Sequence, residues 1–237
     1  MSAPIIPVTP DNELCPPEAQ PKIDHLITED DRPVDSIYVE RQEYLLVAPL
    51  YESWSGPGEG RNFIAMGNVG LFAVPKNPAI VPDALLSLDV QLPSNLRDKR
   101  HRSYFVWEFA KPPDVVIEVV SNLEGEELGK KLKIYARMGI SYYVVWDPLK
   151  LLGEQRLWPF ALDGRSYTPR ESCNFPELGL GMQIWHGTIR GTEDDWLRWT
   201  DAEGKFIPTG GERAEQERQR AETLAAQLRA LGAEPPP

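Results

Sequence analysis

Three residues of this sequence have types and settings that would let them do chemistry together: Asp83, Glu118 and Lys131. Glu118 stands in the middle of PPDVVIEVVSN, residues 112–122, an apolar run of the kind that lies buried in a sheet. Side chains alternate along a strand, so Asp114, Val116, Glu118 and Val120 share one face. Asp83 follows Pro82 at the start of a second strand-like run, IVPDALLSLDV, residues 80–90. If the two strands are neighbours, their carboxylates converge. Oxygen ligands so placed suit a hard divalent cation. A phosphodiester completing its shell would be polarised, and a water activated.

Lys131 comes from the next element, a helix read from about Glu124 to Met138 and closed by Gly139, whose freedom at positive φ suits a helix end. With Leu128 set to zero and about 100° per residue, Leu132, Tyr135 and Met138 fall near ~+40°, ~−20° and ~−80°. Lys131, near about −60°, lies inside that apolar stripe, whereas Lys130 and Lys133 point to solvent. A lysine in a buried stripe wants a partner, and Glu118 on the preceding strand is the natural one. Spacing alone leaves two readings open, a metal site and a buried structural ion pair. Asp114 reads as a cap on its strand and Asp147, after YYVVW, as a turn residue.

The elements that must position these residues can be read in outline. SIYVERQEYLLVAPL (36–50) has helical spacing, with Ile37, Tyr44, Leu45 and Ala48 on one face. YYVVWDP (142–148) is a buried strand, and strand–helix–strand with apolar runs on both sides predicts a parallel pair with a crossover helix. From residue 154 the texture is antiparallel. Asp163-Gly164 marks a hairpin, and short tryptophan-rich strands follow. Residues 212–231 form a charged helix with a narrow stripe of Ala221, Leu224, Ala225, Leu228 and Leu231, which predicts packing against a second copy, hence a dimer, or a frayed end.

Net charge is −11, and residues 1–35 hold eight acids against Lys22 and Arg32 in a stretch with seven prolines. That segment reads as a disordered acidic tail. The basic clusters RDKRHR (97–102) and KKLK (130–133), with Arg137, lie outside it and soften the case against a nucleic-acid partner. No apolar run approaches the ~20 residues of a membrane span. No secretory signal is evident, and Cys15 and Cys173 suit neither a disulfide framework nor a thiolate metal site, so the expected compartment is the cytoplasm. His25, His101 and His186 make no metal spacing. Motifs of nucleotide-binding folds and acyl hydrolases are absent.

VPDALLSL, PPDVVIEVVS and ELGKKLKIYARMGISYYVVWDP together resemble the Uma-two family, restriction-endonuclease-like proteins of the PD-(D/E)XK nuclease superfamily, over residues 36–190. The resemblance implies an α/β fold: a restriction-endonuclease-like mixed sheet core flanked by helices. To it are added a β-rich extension (191–211) and the terminal helix (212–237). It implies a metal-dependent nuclease acting on phosphodiester bonds, with DNA the expected substrate and Mg²⁺, or Mn²⁺, the cofactor. Asp83 and Glu118 would bind the metal, and Lys131 would position and deprotonate water or neutralise phosphate charge. The usual lysine position, two residues after the glutamate, is Val120 here, so the lysine has moved to the helix. The family's acidic Tyr-Glu-Leu-x-Asp-Gly-Glu segment is missing, and Glu40 is the candidate catalytic substitute. The rival expectation is a catalytically inactive nuclease-fold module serving nucleic-acid binding or assembly.

Overall fold

The computed structural model describes residues 21–28, 36–58, 60–76, 78–123 and 126–231. Its centre is the predicted parallel pair, β5 (Val115–Val119) and β6 (Tyr142–Trp146), in register from Val115↔Tyr142 to Val119↔Trp146. Every residue of both strands is buried, which is why each reads as a continuous apolar run. Around them a mixed six-stranded sheet takes the order β1-β3-β5-β6-β7-β8, with β1 (Phe63–Gly67), β3 (Ala84–Leu88), β7 (Leu157–Asp163) and β8 (Ser166–Pro169). All its pairings other than β5–β6 are antiparallel. The Asp163-Gly164 hairpin joins β7 to β8, with Gly164 at φ 62°. A short parallel pair, β2 (Leu71–Phe72) with β4 (Tyr104–Phe105), lies beside the main sheet and leads into the one-turn helix α2 (Val106–Phe109).

The strand alternation sorts the core into two layers. Val115, Ile117 and Val119 join the cluster that includes α1 (Ile37–Glu52) and the small antiparallel sheet β11-β10-β9, made of β9 (Asn174–Phe175), β10 (Leu180–Ile189) and β11 (Thr192–Asp201). Val116 and Val120 join the other layer with Tyr135, Ala136 and Ile140, from α3 (Leu132–Met138) and the turn after it. Gly139 ends α3 at φ 81°, as expected.

Several expectations shift. The face that α1 buries is Val39, Gln42, Leu45, Leu46, Pro49 and Leu50, and Ile37 is 73% exposed. A polar residue anchors that stripe. The Gln42 amide donates to the Leu197 carbonyl at 2.8 Å and accepts from the Leu197 N–H at 2.9 Å, binding α1 to β11, so apolar spacing alone misplaced the face. The boundary expected at 190/191 falls in the tight turn between β10 and β11, where Arg190 and Gly191 both take positive φ. Leu197 and Trp199 of β11 are part of the core cluster. Within the expected acidic tail, residues 1–20 and 29–35 lie outside the described residues. Ile23 and Leu26 are buried against Phe72 and Phe105, because a turn closed by Leu26 N–H on the Ile23 carbonyl puts both apolar side chains on the core.

The terminal helix α4 (Gly210–Ala230) begins with a capping box between Thr209 and Glu212, and Arg198 grips Glu212 through two hydrogen bonds of 2.6 and 2.9 Å. Beyond that anchor none of its residues is buried; Leu224 is 51% exposed.

Candidate active site

β3 runs antiparallel to β5 with Ala84 opposite Ile117, so one step further on Asp83 comes level with Glu118. Asp83 is held at the strand end. Its carboxylate accepts from the Val119 N–H at 2.6 Å and its carbonyl accepts from the Asn68 N–H at 3.2 Å. Glu118 is 2% exposed, and both its oxygens are engaged: Oε2 by the Lys131 ammonium at 2.9 Å, Oε1 by the Tyr135 hydroxyl at 2.5 Å. Lys131 and Tyr135, four residues apart, reach the same carboxylate from one face. Lys130 and Lys133 are exposed, as the angular argument required.

The segment before α3 differs from expectation. Glu127–Lys131 forms a π-helical turn, entered through Glu126 in the left-handed region at φ 51°. Such turns recur at functional sites, and a non-glycine residue at that φ costs energy that the surroundings must offset. Its effect is to carry Glu127 inward, to 5% exposure. Glu127 Oε1 accepts from Lys131 at 3.2 Å, and its carbonyl accepts from the Tyr143 hydroxyl of β6 at 3.1 Å. Glu127 Oε2 is buried with no hydrogen-bond partner. Nothing in the apolar pattern marks this residue; its one signal in the sequence is the four-residue spacing to Lys131.

The electrostatics follow from burial. Desolvation pushes the Glu118 carboxyl up to about 8, the Asp83 charge pushes the same way, and Lys131 and the Tyr135 hydroxyl oppose both. For Lys131, burial works to lower the pKa, but the carboxylates of Glu118 and Glu127 outweigh it and the net direction is upward, so it stays an ammonium ion. Burial raises Tyr135 well above the ordinary tyrosine value, leaving its hydroxyl a donor.

The other candidates sit elsewhere. Glu40 is half-exposed and paired with Arg41 at 3.2 Å and with Arg190, at the β10–β11 turn, at 3.0 Å; the structure does not bring it to Glu118. Asp114 accepts from the Leu88 N–H and from Lys111 at the opposite end of β5, and buried Asp147 caps the N–H groups of Leu151 and Leu152, a turn residue as read. An open cleft of about 270 Å³, lined by Trp54, Arg61, Phe63 and Val90, lies beyond the Leu88 end of β3, away from Asp83.

The donor set can be tested against a divalent cation. Two carboxyl groups, Asp83 and Glu118, come level at one sheet end, and burial together with the Asp83 charge keeps a proton on Glu118 to about 8. A pocket that holds an acid's proton so tightly is short of positive charge, and it fits such an ion. Among the described residues no group of three or more His, Cys, Asp and Glu side chains is disposed to hold a metal by itself. A shell built on Asp83 and Glu118 would therefore be completed by water and phosphate oxygens, the usual habit of Mg²⁺.

The profile of the Uma2 family, described as "Putative restriction endonuclease", matches residues 33–186, well over half the chain. The chain belongs to the Uma2 family. Membership supports nuclease activity at the family level and agrees with the mixed α/β sheet and flanking helices. No curated protein matches the chain. No helix among the described residues is long and apolar enough to cross a membrane.

Proposed function

We propose that this Uma2 chain is a metal-dependent endonuclease that hydrolyses phosphodiester bonds in DNA, using Mg²⁺ or Mn²⁺. The observation that carries the reading is the buried Glu118 carboxylate, level with Asp83 at one sheet end and gripped by Lys131. A cation held by Asp83 and Glu118 would polarise the scissile phosphate and lower the pKa of a bound water. Lys131, an ammonium whose donors already meet two carboxylates, neutralises charge that builds on the phosphate as the bond breaks. As an ammonium it has no lone pair with which to abstract a proton. The RDKRHR segment, a short helical turn at Lys99–His101 that is partly exposed and flanked by exposed Arg97 and Arg102, would offer basic groups to backbone phosphates.

Titration with Mn²⁺ by calorimetry tests the metal assignment. Wild type is expected to bind, and Asp83→Asn, which keeps the side-chain volume and removes a charge, to weaken binding at least ~10-fold. Equal affinity in both would remove Asp83 from the site. The direct 2.9 Å ion pair favours a second reading, a nuclease-fold module in which Glu118 and Lys131 are only structural. Absence of Mn²⁺ binding in wild type would support it.

The exposed stripe on α4 supports dimerisation through that helix. Removing residues 217–237 spares the Glu212–Arg198 anchor and is expected to halve the mass measured by light scattering with the core still folded. An unchanged mass would contradict the dimer.

A further inference from the structure

Resting on the nuclease reading above, we propose that Glu127 is the proton acceptor for the attacking water. Its two oxygens are differently placed. Oε1 is fixed on the Lys131 ammonium at 3.2 Å, and the peptide behind it is fixed by the Tyr143 hydroxyl. Oε2 is buried and without a hydrogen-bond partner. A buried acceptor left open is costly, so it calls for an explanation. A water molecule donating to Oε2 supplies one.

The other polar groups of the cluster are already engaged. Both oxygens of Glu118 accept hydrogen bonds, the Tyr135 hydroxyl donates to Glu118, and Lys131 bridges the two glutamates. Asp83 accepts from the Val119 N–H. Among Asp83, Glu118 and Glu127, it is Glu127 whose carboxylate has a buried oxygen without a hydrogen bond. The backbone that delivers it is irregular in two independent ways, a left-handed Glu126 and a π turn, and an ordinary α-helical start would not need either.

The step balances within these groups. A lone pair of the water oxygen forms the new bond to phosphorus as its proton passes to Glu127 Oε2. The bond from phosphorus to the leaving oxygen breaks with its electron pair, and that oxygen takes a proton from solvent. Glu127 then returns its proton to solvent.

The test uses the full chain with a supercoiled plasmid and Mn²⁺, comparing wild type with Glu127→Gln and Glu127→Ala. Both substitutions are expected to lower kcat by ~10²–10⁴, the usual worth of a general base, with KM and Mn²⁺ affinity by calorimetry within about threefold of wild type. Added formate is expected to restore part of the rate in Glu127→Ala, by supplying a carboxylate in the vacated space, and to leave Glu127→Gln unchanged. A structural role would not respond to formate. Three results would overturn the proposal: wild-type rate in Glu127→Gln, loss of Mn²⁺ binding or of folding in Glu127→Gln, or no formate response in a folded Glu127→Ala. Wild type that binds Mn²⁺ and cleaves nothing would instead refute the nuclease reading, and the proposal with it.

Discussion

Lys131→Met is expected to stop cleavage while leaving the melting temperature of the Mn²⁺-loaded protein within a few degrees of wild type. The lysine ammonium lies between two buried carboxylates, at 2.9 Å from Glu118 and 3.2 Å from Glu127. Breaking a purely structural buried pair leaves a charge uncompensated and costs roughly 3–5 kcal/mol. In a metal-binding site the loss is smaller, because the cation still balances Glu118 and the Tyr135 hydroxyl still donates to it. Thermal melts with and without Mn²⁺ separate the two cases. A deep drop under both conditions, largely regained in the Lys131→Met/Glu118→Gln double variant, would make the lysine structural.

Without divalent metal, the folded protein is expected to lose stability between about pH 5 and pH 8. Glu118 titrates at about 8 in the folded chain, against 4.5 ordinarily, because burial penalises its charged form and Asp83 adds to the penalty. The folded state therefore binds the proton more tightly than the unfolded chain. Between those values folding takes up a proton, and stability falls as pH rises. The contribution is full below the unfolded value and gone above the folded one. Each pH unit across that window is worth at most about 1.4 kcal/mol, so a loss of a few kcal/mol is expected. Urea unfolding at pH 5, 7 and 9 measures it. Glu118→Gln should flatten the profile, and added Mn²⁺ should restore stability at pH 9. A flat wild-type profile would contradict the burial argument.

The carboxylate of the second prediction was legible in the sequence because a strand repeats every two residues, so one acid in an apolar run must face a layer of the core. Asp83 was legible through its place at the head of the neighbouring run. Lys131 was legible because it closes the π turn with α-helical φ and ψ, directly before α3 and four residues from Tyr135. The reference residue for that argument, Leu128, lies in the π turn, and the conclusion held because the lysine itself adjoins α3. Glu127 was hidden for the same reason. At about 100° per residue it sits about 100° from Leu128, at the margin of the stripe, and only the wider turn brings it in. Gln42 was hidden because an apolar pattern cannot count a buried amide whose partners are backbone groups of a strand 155 residues later. Glu40 was placed by analogy with a missing acidic segment, and its ion pair with Arg190 depends on a hairpin whose packing no local pattern encodes.

The most direct measurement is Mn²⁺-dependent nicking of supercoiled plasmid DNA by wild type, Asp83→Asn and Glu118→Gln, each shown by circular dichroism to be folded. The account predicts nicked and linear product with wild type, none when the metal is chelated, and a loss of at least ~10³-fold in each variant. Cleavage by either variant at the wild-type rate, or no product from folded wild type with Mg²⁺ or Mn²⁺, would contradict it.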